Sequence, residues 1–298
     1  MGRQEDVTPS EELTATDEGS PAVRTGQDGG PGGLGAPSGA RGLLLTVLGE
    51  FVLPWGGAAQ SSALVAALGA LGIEAGTARQ VLARSAARGW LSREKLGART
   101  RWHLTTRAGE LLAEGAERIY GFGRHRPAWD GRWLLVIVRV PERQRALRYR
   151  LRARLTWAGF GPLGQGLWLS PYVEREALAV EVVKALGLEA ATSFVGDFGR
   201  LGDLEDLVAD AWNLEALGRR YQRFATWAGA LAPVGEQAAF GAVARLVHEW
   251  RQFPLLDPEL PGSLLPDGWP GDLALERFHH LHRAWRPSAW SWWERLAP

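Results

Sequence analysis

Cysteine is absent from this sequence of 298 residues, and methionine occurs once. A chain without thiols has no disulfide framework, no thiolate zinc site and no cysteine nucleophile. The composition is compatible with a reducing cytoplasm, which is the location that we expect. No apolar run approaches the ~20 residues that span a bilayer, and the first residues lack the basic start and apolar run of a signal peptide. We therefore expect neither a membrane segment nor secretion.

The net charge of +1 hides an uneven distribution along the chain. Residues 1–40 carry 2 basic and 7 acidic side chains, residues 41–160 carry 20 and 8, and residues 161–298 carry 12 and 18. A basic block of this kind favours a polyanionic partner such as nucleic acid. The acidic C-terminal part argues against contact with nucleic acid along the whole chain.

The order of hydrophobic patterns predicts an α+β protein with three folded domains behind a tail. Residues 1–40 are rich in glycine, proline, serine and acidic residues, and they hold too few large apolar side chains to offset the entropy lost on ordering. We predict a disordered acidic tail there. The predicted domains are a winged helix-turn-helix at 41–127, a ferredoxin-like domain at 128–200 and a helical domain at 201–298.

The predicted DNA-binding element lies within residues 60–105. Apolar residues spaced three and four apart predict helices at 61–71 and 75–88, and Gly72 supplies the turn between them. A short basic hairpin around Gly97 follows. The order helix, turn, helix and hairpin is typical of a DNA-binding protein with a recognition helix and a wing.

Polar and basic side chains on the second helix and on the hairpin are the candidate DNA contacts. Arginine and lysine neutralise phosphates, while glutamine and arginine also bond base edges. The alternative is a solvated helical hairpin, because charged helix faces usually face water. The candidates from this pattern are Thr77, Gln80, Arg84 and Arg88 on the helix, with Lys95, Arg99 and Arg101 on the wing.

The middle region alternates strand and helix patterns in the order β-α-β-β-α-β, which predicts the ferredoxin-like domain. The predicted strands are 133–140, 159–163, 166–172 and 191–197, and the predicted helices are 142–158 and 174–186. The first of these helices is rich in arginine, so it either adds phosphate contacts, faces an acidic partner surface or is simply solvated.

The C-terminal region is predicted to be helical, with helices near 203–212, 213–231, 235–252, 271–286 and 288–297. A loop dense in proline separates the third from the fourth, and each proline fixes its own φ angle. His279 and His282 lie three apart and share a helix face, but no third metal ligand is evident. We therefore expect no metal and no cofactor.

Several segments resemble the PaaX family of transcriptional regulators, the repressors of phenylacetate catabolism. The most specific is HEWRQFPLLDPELPGSLLPDGWPG at 248–271. The others are LGEFVLPWGG at 48–57, TARQVLARSAARGWL at 77–91, WDGRWLLVIV at 129–138 and WAGFGPLGQGLWLSP at 157–171. The chain departs from the family pattern in its long acidic tail and in its C-terminal end, which is unusually rich in tryptophan.

The resemblance implies a winged-helix domain, a middle domain similar to the small CRISPR adaptation nuclease, and a helical C-terminal domain. It also implies a homodimer on palindromic operator DNA that responds, as the phenylacetate repressors do, to phenylacetyl-CoA. By matching position, Arg79 joins the candidate DNA contacts. Nuclease chemistry of that fold needs an acidic residue at the end of the first strand, where this chain has Arg139-Val140-Pro141, with Asp130 at the opposite end. We therefore expect no enzyme activity.

Tryptophans and arginines of the last domain are candidates for the effector site. Trp250, Arg251 and Trp269 would form an aromatic wall and a phosphate contact for an aryl or acyl CoA thioester, although aromatic clusters are more often core or dimer interface. The predicted function is a cytoplasmic, dimeric repressor that an acyl-CoA-type effector releases from DNA. The alternative is an acyl-CoA-binding or thioester-hydrolysing enzyme.

Overall fold

The computed structural model describes residues 39–124 and 126–297, so all but the last two residues of the predicted acidic tail lie outside the described residues, and Ala40 already begins a helix. The fold is α+β, as predicted, with two small antiparallel sheets among many helices. In the described part of the chain, no helix combines the length and the apolar character that crossing a bilayer requires.

The N-terminal part has four helices and a three-stranded sheet. Its elements are α1 (Ala40–Val47), β1 (Ala58–Gln60), α2 (Ser61–Ala70), α3 (Ala75–Ala87), β2 (Leu91–Leu96), β3 (Arg99–Leu104) and α4 (Thr106–Gly121). The sheet order is β1-β3-β2, and all pairs are antiparallel. The three-residue strand β1 was not predicted, because so short a segment has no alternation of its own.

The first helix continues into one π-helical turn, Leu48–Val52. The backbone N–H of Leu53 donates to the carbonyl of Leu48 at 2.8 Å, which is the i to i+5 spacing of a π turn. Leu48 and Phe51 are fully buried there, and the Glu50 carboxylate is also buried. The apolar run from Leu43 to Leu53 thus forms one continuous helical segment with a local widening.

The middle part has a four-stranded sheet with the order β5-β6-β4-β7, in which every pair is antiparallel. Its elements are β4 (Arg132–Val138), α5 (Arg145–Trp157), β5 (Gly161–Gly164), β6 (Leu167–Ser170), α6 (Glu176–Ala185) and β7 (Ala191–Asp197). Leu134, Val136 and Val138 point from β4 onto Leu151 and Leu155 of α5, which form a small separate core. Predicted and observed elements follow one another in the same order.

The C-terminal part is helical. Its helices are α7 (Leu204–Ala211), α8 (Leu214–Gly229), α9 (Glu236–Trp250), α10 (Phe253–Leu256) and α11 (Pro270–Leu296). The prediction of two helices at 271–286 and 288–297 is wrong, because α11 continues through Pro287. Pro287 has no N–H to donate to the carbonyl of Arg283. Both residues are exposed, so water can bond that carbonyl instead. Burial of Ala289 and Trp293 offsets the remaining cost.

The largest hydrophobic core joins N-terminal and C-terminal helices. The ring of Phe51 lies 4.5 Å from that of Phe240 in α9 and 5.9 Å from that of Trp293 in α11. Helices α1 and α2 both contact α9, and α2 also contacts α11. The first and last parts of the chain thus bury their apolar faces against each other. The predicted domain boundaries stay a prediction.

Candidate nucleic-acid interface

Helices α2 and α3 are joined by a tight turn at Gly72, whose φ is +85°. This is a left-handed conformation that glycine adopts without steric cost. The N–H of Ile73 donates to the carbonyl of Leu68 at 3.0 Å and closes the end of α2. Ala78, Val81 and Leu82 of α3 are buried, as their spacing predicts. The remaining faces of α3 are therefore held outward by a fixed core.

All the candidate side chains of α3 are exposed to solvent. Thr77, Gln80, Arg84 and Arg88 lie along one side of the helix, since their positions are three and four apart. Arg79 lies on the other side of the exposed surface, because it is about 140° from Arg84 around an ideal helix. The two sides are separated by a strip that contains the small residues Gly76, Ala83 and Ala87.

The hairpin β2–β3 carries its cations on two different faces. Cross-strand partners share a face, and the pairs include Glu94 with Arg101 and Leu96 with Arg99. Lys95 pairs with Thr100 and therefore lies on the opposite face from Arg99 and Arg101. The predicted single cluster around Gly97 is thus divided between the two faces of a thin ribbon.

The candidate cations keep their charge unneutralised. Among the described residues, no ion pair involves any of the six candidate arginines and lysine of α3 and the hairpin. Glu94 is the nearby acid on the hairpin, and its carboxylate bonds His103 Nε2 at 2.6 Å. Burial, and then repulsion from Arg88, lower the pKa of Arg41 in α1. Arg41 therefore adds positive charge near the C-terminal end of α3.

Family profiles match three consecutive parts of the chain. "PaaX-like protein" matches residues 39–108, "PaaX protein central Cas2-like domain" matches 126–208, and "PaaX-like protein C-terminal domain" matches 212–295. The chain belongs to the PaaX family. The resemblance inferred from the sequence segments is confirmed.

Relatives of this PaaX-family chain include the transcriptional repressor PaaX from Escherichia coli (strain K12). The two are 26% identical over 258 residues, which cover 83% of this chain and 80% of the repressor. A solved structure, the uncharacterized protein Rv0674 from Mycobacterium tuberculosis, matches 86% of this chain and 97% of its own. Its TM-score is 0.58 at 23% sequence identity, so this likeness concerns the fold alone.

Two of the predicted effector residues of this PaaX-family protein lie inside the core. The ring of Trp250 is fully buried, stacks on Phe278 at 4.7 Å, and its Nε1–H donates to the carbonyl of Ile119. Trp269 is also buried and packs edge-on against Tyr221, 5.9 Å between ring centres. Their positions agree with the packing alternative, because a ring enclosed by other aromatic rings has no open face for a ligand.

Arg251, the third predicted effector residue, has a different environment. It directly follows α9 and is 9% exposed, and it borders a cavity between N-terminal and C-terminal helices. Burial lowers its pKa to about 10, so the guanidinium remains charged at neutral pH. The sequence pattern thus selected one residue at a cavity and two residues of the core.

One of the two histidines considered for a metal site, His282, has other partners. His282 Nε2 donates to the buried carboxylate of Glu50 at 2.9 Å, and the hydroxyl of Tyr120 donates to the same carboxylate. The pKa of His279 is lowered, chiefly by burial. Over residues 39–124 and 126–297, no group of three potential metal-ligating side chains comes together. Sequence spacing could not find the Glu50 cluster, because Tyr120 and His282 lie 70 and 232 positions from Glu50.

The arginine-rich helix α5 presents a long cationic surface. Arg145, Arg148, Arg150 and Arg152 are exposed, and Tyr149 between them is 75% exposed. At the start of β4, Asp130 pairs with Arg132 at 2.7 Å rather than standing free. The strand itself ends at Val138, before Arg139.

Sequence reasoning missed two cations beside the candidate site. Arg93 of β2 is exposed and lies on the same hairpin face as Lys95, because residues two apart in a strand point to the same face. Arg41 lies 31 residues before Gly72 in the sequence. It comes close to α3 because α1 packs against α3. Strand alternation would have identified Arg93, whereas nothing in the sequence pattern points to Arg41.

Proposed function

We propose that this protein is a sequence-specific DNA-binding transcriptional regulator, a repressor like the relative from Escherichia coli. The observation that carries the proposal is the exposed, unpaired set of cations on α3 and on the adjoining hairpin. Duplex DNA binds such a surface because arginine and lysine replace the condensed counterions of its phosphates. We place the protein in the cytoplasm, where it reaches DNA.

We assign residues 41–127 to a winged helix-turn-helix domain. In support, α2, the turn at Gly72 and α3 are followed directly by the hairpin, and β1 adds a third strand to its sheet. In such domains the second helix of the pair enters the major groove and the hairpin reaches the flanking backbone. The role of α3 as recognition helix follows from this assignment.

The shape of α3 supports insertion into a groove. On an ideal helix, the strip of Gly76, Ala83 and Ala87 faces directly away from the core, and Gln80 lies at its edge on the Arg84 side. Arg79 and Arg84 lie roughly 70° to either side of that strip. Small residues permit close approach to base edges, while arginines on both flanks can bond the two phosphate backbones. Gln80 is then the side chain placed to bond a base, with adenine as its preferred partner.

The hairpin would contribute backbone contacts from both faces. Arg99 and Arg101 lie on one face, and Lys95 and Arg93 lie on the other. A two-stranded ribbon inserted along a groove meets a phosphate backbone on each side, so a divided set of cations suits it. Glu94, opposite Arg101, opposes this attraction.

We further propose a ferredoxin-like middle domain at 128–200, a helical domain at 201–298 and a homodimer that binds a palindromic operator. The sheet order β5-β6-β4-β7 with α5 and α6 supports the middle assignment. The family resemblance supports the dimer and an acyl-CoA-type effector such as phenylacetyl-CoA. An effector releases DNA only if it binds more tightly to the dimer geometry that cannot bind DNA than to the geometry that can.

The test is binding of the full chain to the DNA upstream of its own gene, measured by fluorescence anisotropy against scrambled DNA of equal length. Wild-type protein should prefer the upstream DNA, and Arg84→Ala with Arg88→Ala should lower that affinity at least about tenfold. Both side chains are exposed, so the melting temperature should not change. Equal binding of both DNAs, or an unchanged affinity of the variant, would contradict the proposal.

A further inference from the structure

A cavity of about 80 Å³ lies between the DNA-binding part and the C-terminal helices. Helix α1, its π turn and α4 form one side, and the end of α9 with α10 forms the other. The wall is largely apolar, with six large contributors: Leu45, Leu112, Ile119, Val247, Pro254 and Leu255. At roughly 10–15 Å³ for each water-sized group, the space takes about six such groups.

Arg251 is one of two arginines on the wall of this cavity. The residue is 9% exposed, and among the described residues its buried Nε and Nη2 have no hydrogen-bond partner. Burial lowers the pKa of Arg251, and attraction to Glu249, which is exposed, raises it only in part. Two other charged groups lie on the wall, and both have partners: Arg118 Nη2 donates to the carbonyl of Pro254 at 2.8 Å, and Glu50 is occupied by Tyr120 and His282.

A buried guanidinium without an acceptor is costly, because desolvation removes its hydrogen bonds to water and nothing replaces them. Its Nε and Nη2 edge matches the two oxygens of a carboxylate, which it can bond in parallel. The apolar wall requires that the rest of the ligand be apolar as well. One negative charge at one end of a small apolar body satisfies both conditions.

We propose that this cavity binds a small monocarboxylate with an apolar body, whose carboxylate pairs with Arg251. The space accommodates an acid with about four to nine heavy atoms. Binding itself is independent of DNA. A regulatory effect of binding rests on the proposed function: the ligand would fix α1 and α4 against α9, and α1 packs on α3.

The experiment measures binding of butanoate, hexanoate and benzoate to the full chain by calorimetry, each against its neutral amide. At least one acid should bind saturably, and its amide should bind about tenfold or more weakly. Arg251→Met retains an apolar side chain of similar length and removes the charge. This variant should lose the binding about tenfold or more without a lower melting temperature, because an unpaired buried charge has been removed.

Two further variants separate the site from general effects. Arg245→Met removes an exposed arginine from α9, six residues before Arg251, and should leave acid binding unchanged. Gly49→Ala adds a methyl group to the cavity wall, 3.6 Å from Leu112 Cδ2, and should weaken benzoate more than butanoate. Gly49→Ala keeps the test decisive if Arg251→Met does not fold.

Equal binding of acids and amides, no binding at millimolar concentration, or full binding by Arg251→Met would overturn the proposal. These calorimetric measurements contain no DNA, so their outcome does not depend on the repressor assignment. Repeating the anisotropy titration with the bound acid then tests regulation separately. A site that binds the acid while DNA affinity stays the same would refute only the regulatory effect.

Discussion

The salt dependence of DNA binding should report directly on Arg84 and Arg88. Each phosphate contact contributes about −0.9 to the slope of log affinity against log salt concentration. Two arginines in each subunit make four contacts in a dimer, so replacing both with alanine should make the slope shallower by about 3.6. Between 50 and 200 mM salt, the affinity ratio of wild type to variant should then shrink by roughly a hundredfold.

The matched control for that measurement is Arg150→Ala with Arg152→Ala. Both residues are exposed on the cationic helix α5, so the variant loses the same charge at a different place. We expect its slope to stay close to that of the wild type. Anisotropy titrations at four or more salt concentrations give both slopes. Equal changes in the two variants would refute contact by α3 and indicate long-range attraction by total charge.

Three other changes test the hairpin and the buried groups. Glu94→Gln should tighten DNA binding about threefold at low salt. A carboxylate roughly 7 Å from a phosphate repels it by about 0.6 kcal/mol in water, and the amide does not. Weaker binding of the variant in the anisotropy titration would contradict this. Glu50→Ala should lower the free energy of unfolding by about 3 kcal/mol, since His282 and Tyr120 lose a buried acceptor. Urea titration measures this change. A loss below about 1 kcal/mol would contradict the proposed hydrogen-bond network. Burial, with repulsion from Arg251, lowers the pKa of His248 to about 4. Neutral His248 therefore stabilises the fold fully above pH 6.5, and this stabilisation is lost as pH falls from about 6.5 to 4. His248→Asn should flatten the free energy of unfolding against pH in that range. Parallel profiles of wild type and variant would contradict this expectation.

The local elements of the DNA-binding part could be predicted because short-range signals determine them. Gly72 and Gly97 both have positive φ, and each lies at the turn that its position in the sequence indicated. The Thr105 hydroxyl accepts from the N–H of Ala108 and so caps the start of α4. The burial of Ala78 and Val81 follows from helical spacing alone. These features depend on neighbours within about four residues.

The features that were missed depend on distant parts of the chain. Strand β1 forms because β3 offers it a partner, and α11 continues through Pro287 because Trp293 is buried against Phe51 and Phe240. No local signal in the sequence encodes these contacts. The same reason explains why Trp250 looked like a ligand wall: its enclosure by Phe278 and Phe224 appears only in the folded chain.

The shared core of the first and last helices limits how this protein can be divided. A fragment that ends after the hairpin would expose Phe51, Leu48 and their neighbours to water, since α9 and α11 cover them in the full chain. Such a fragment should aggregate instead of serving as a minimal DNA-binding module. Exchange of the DNA-binding part between related proteins would likewise require transfer of the matching faces of α9 and α11.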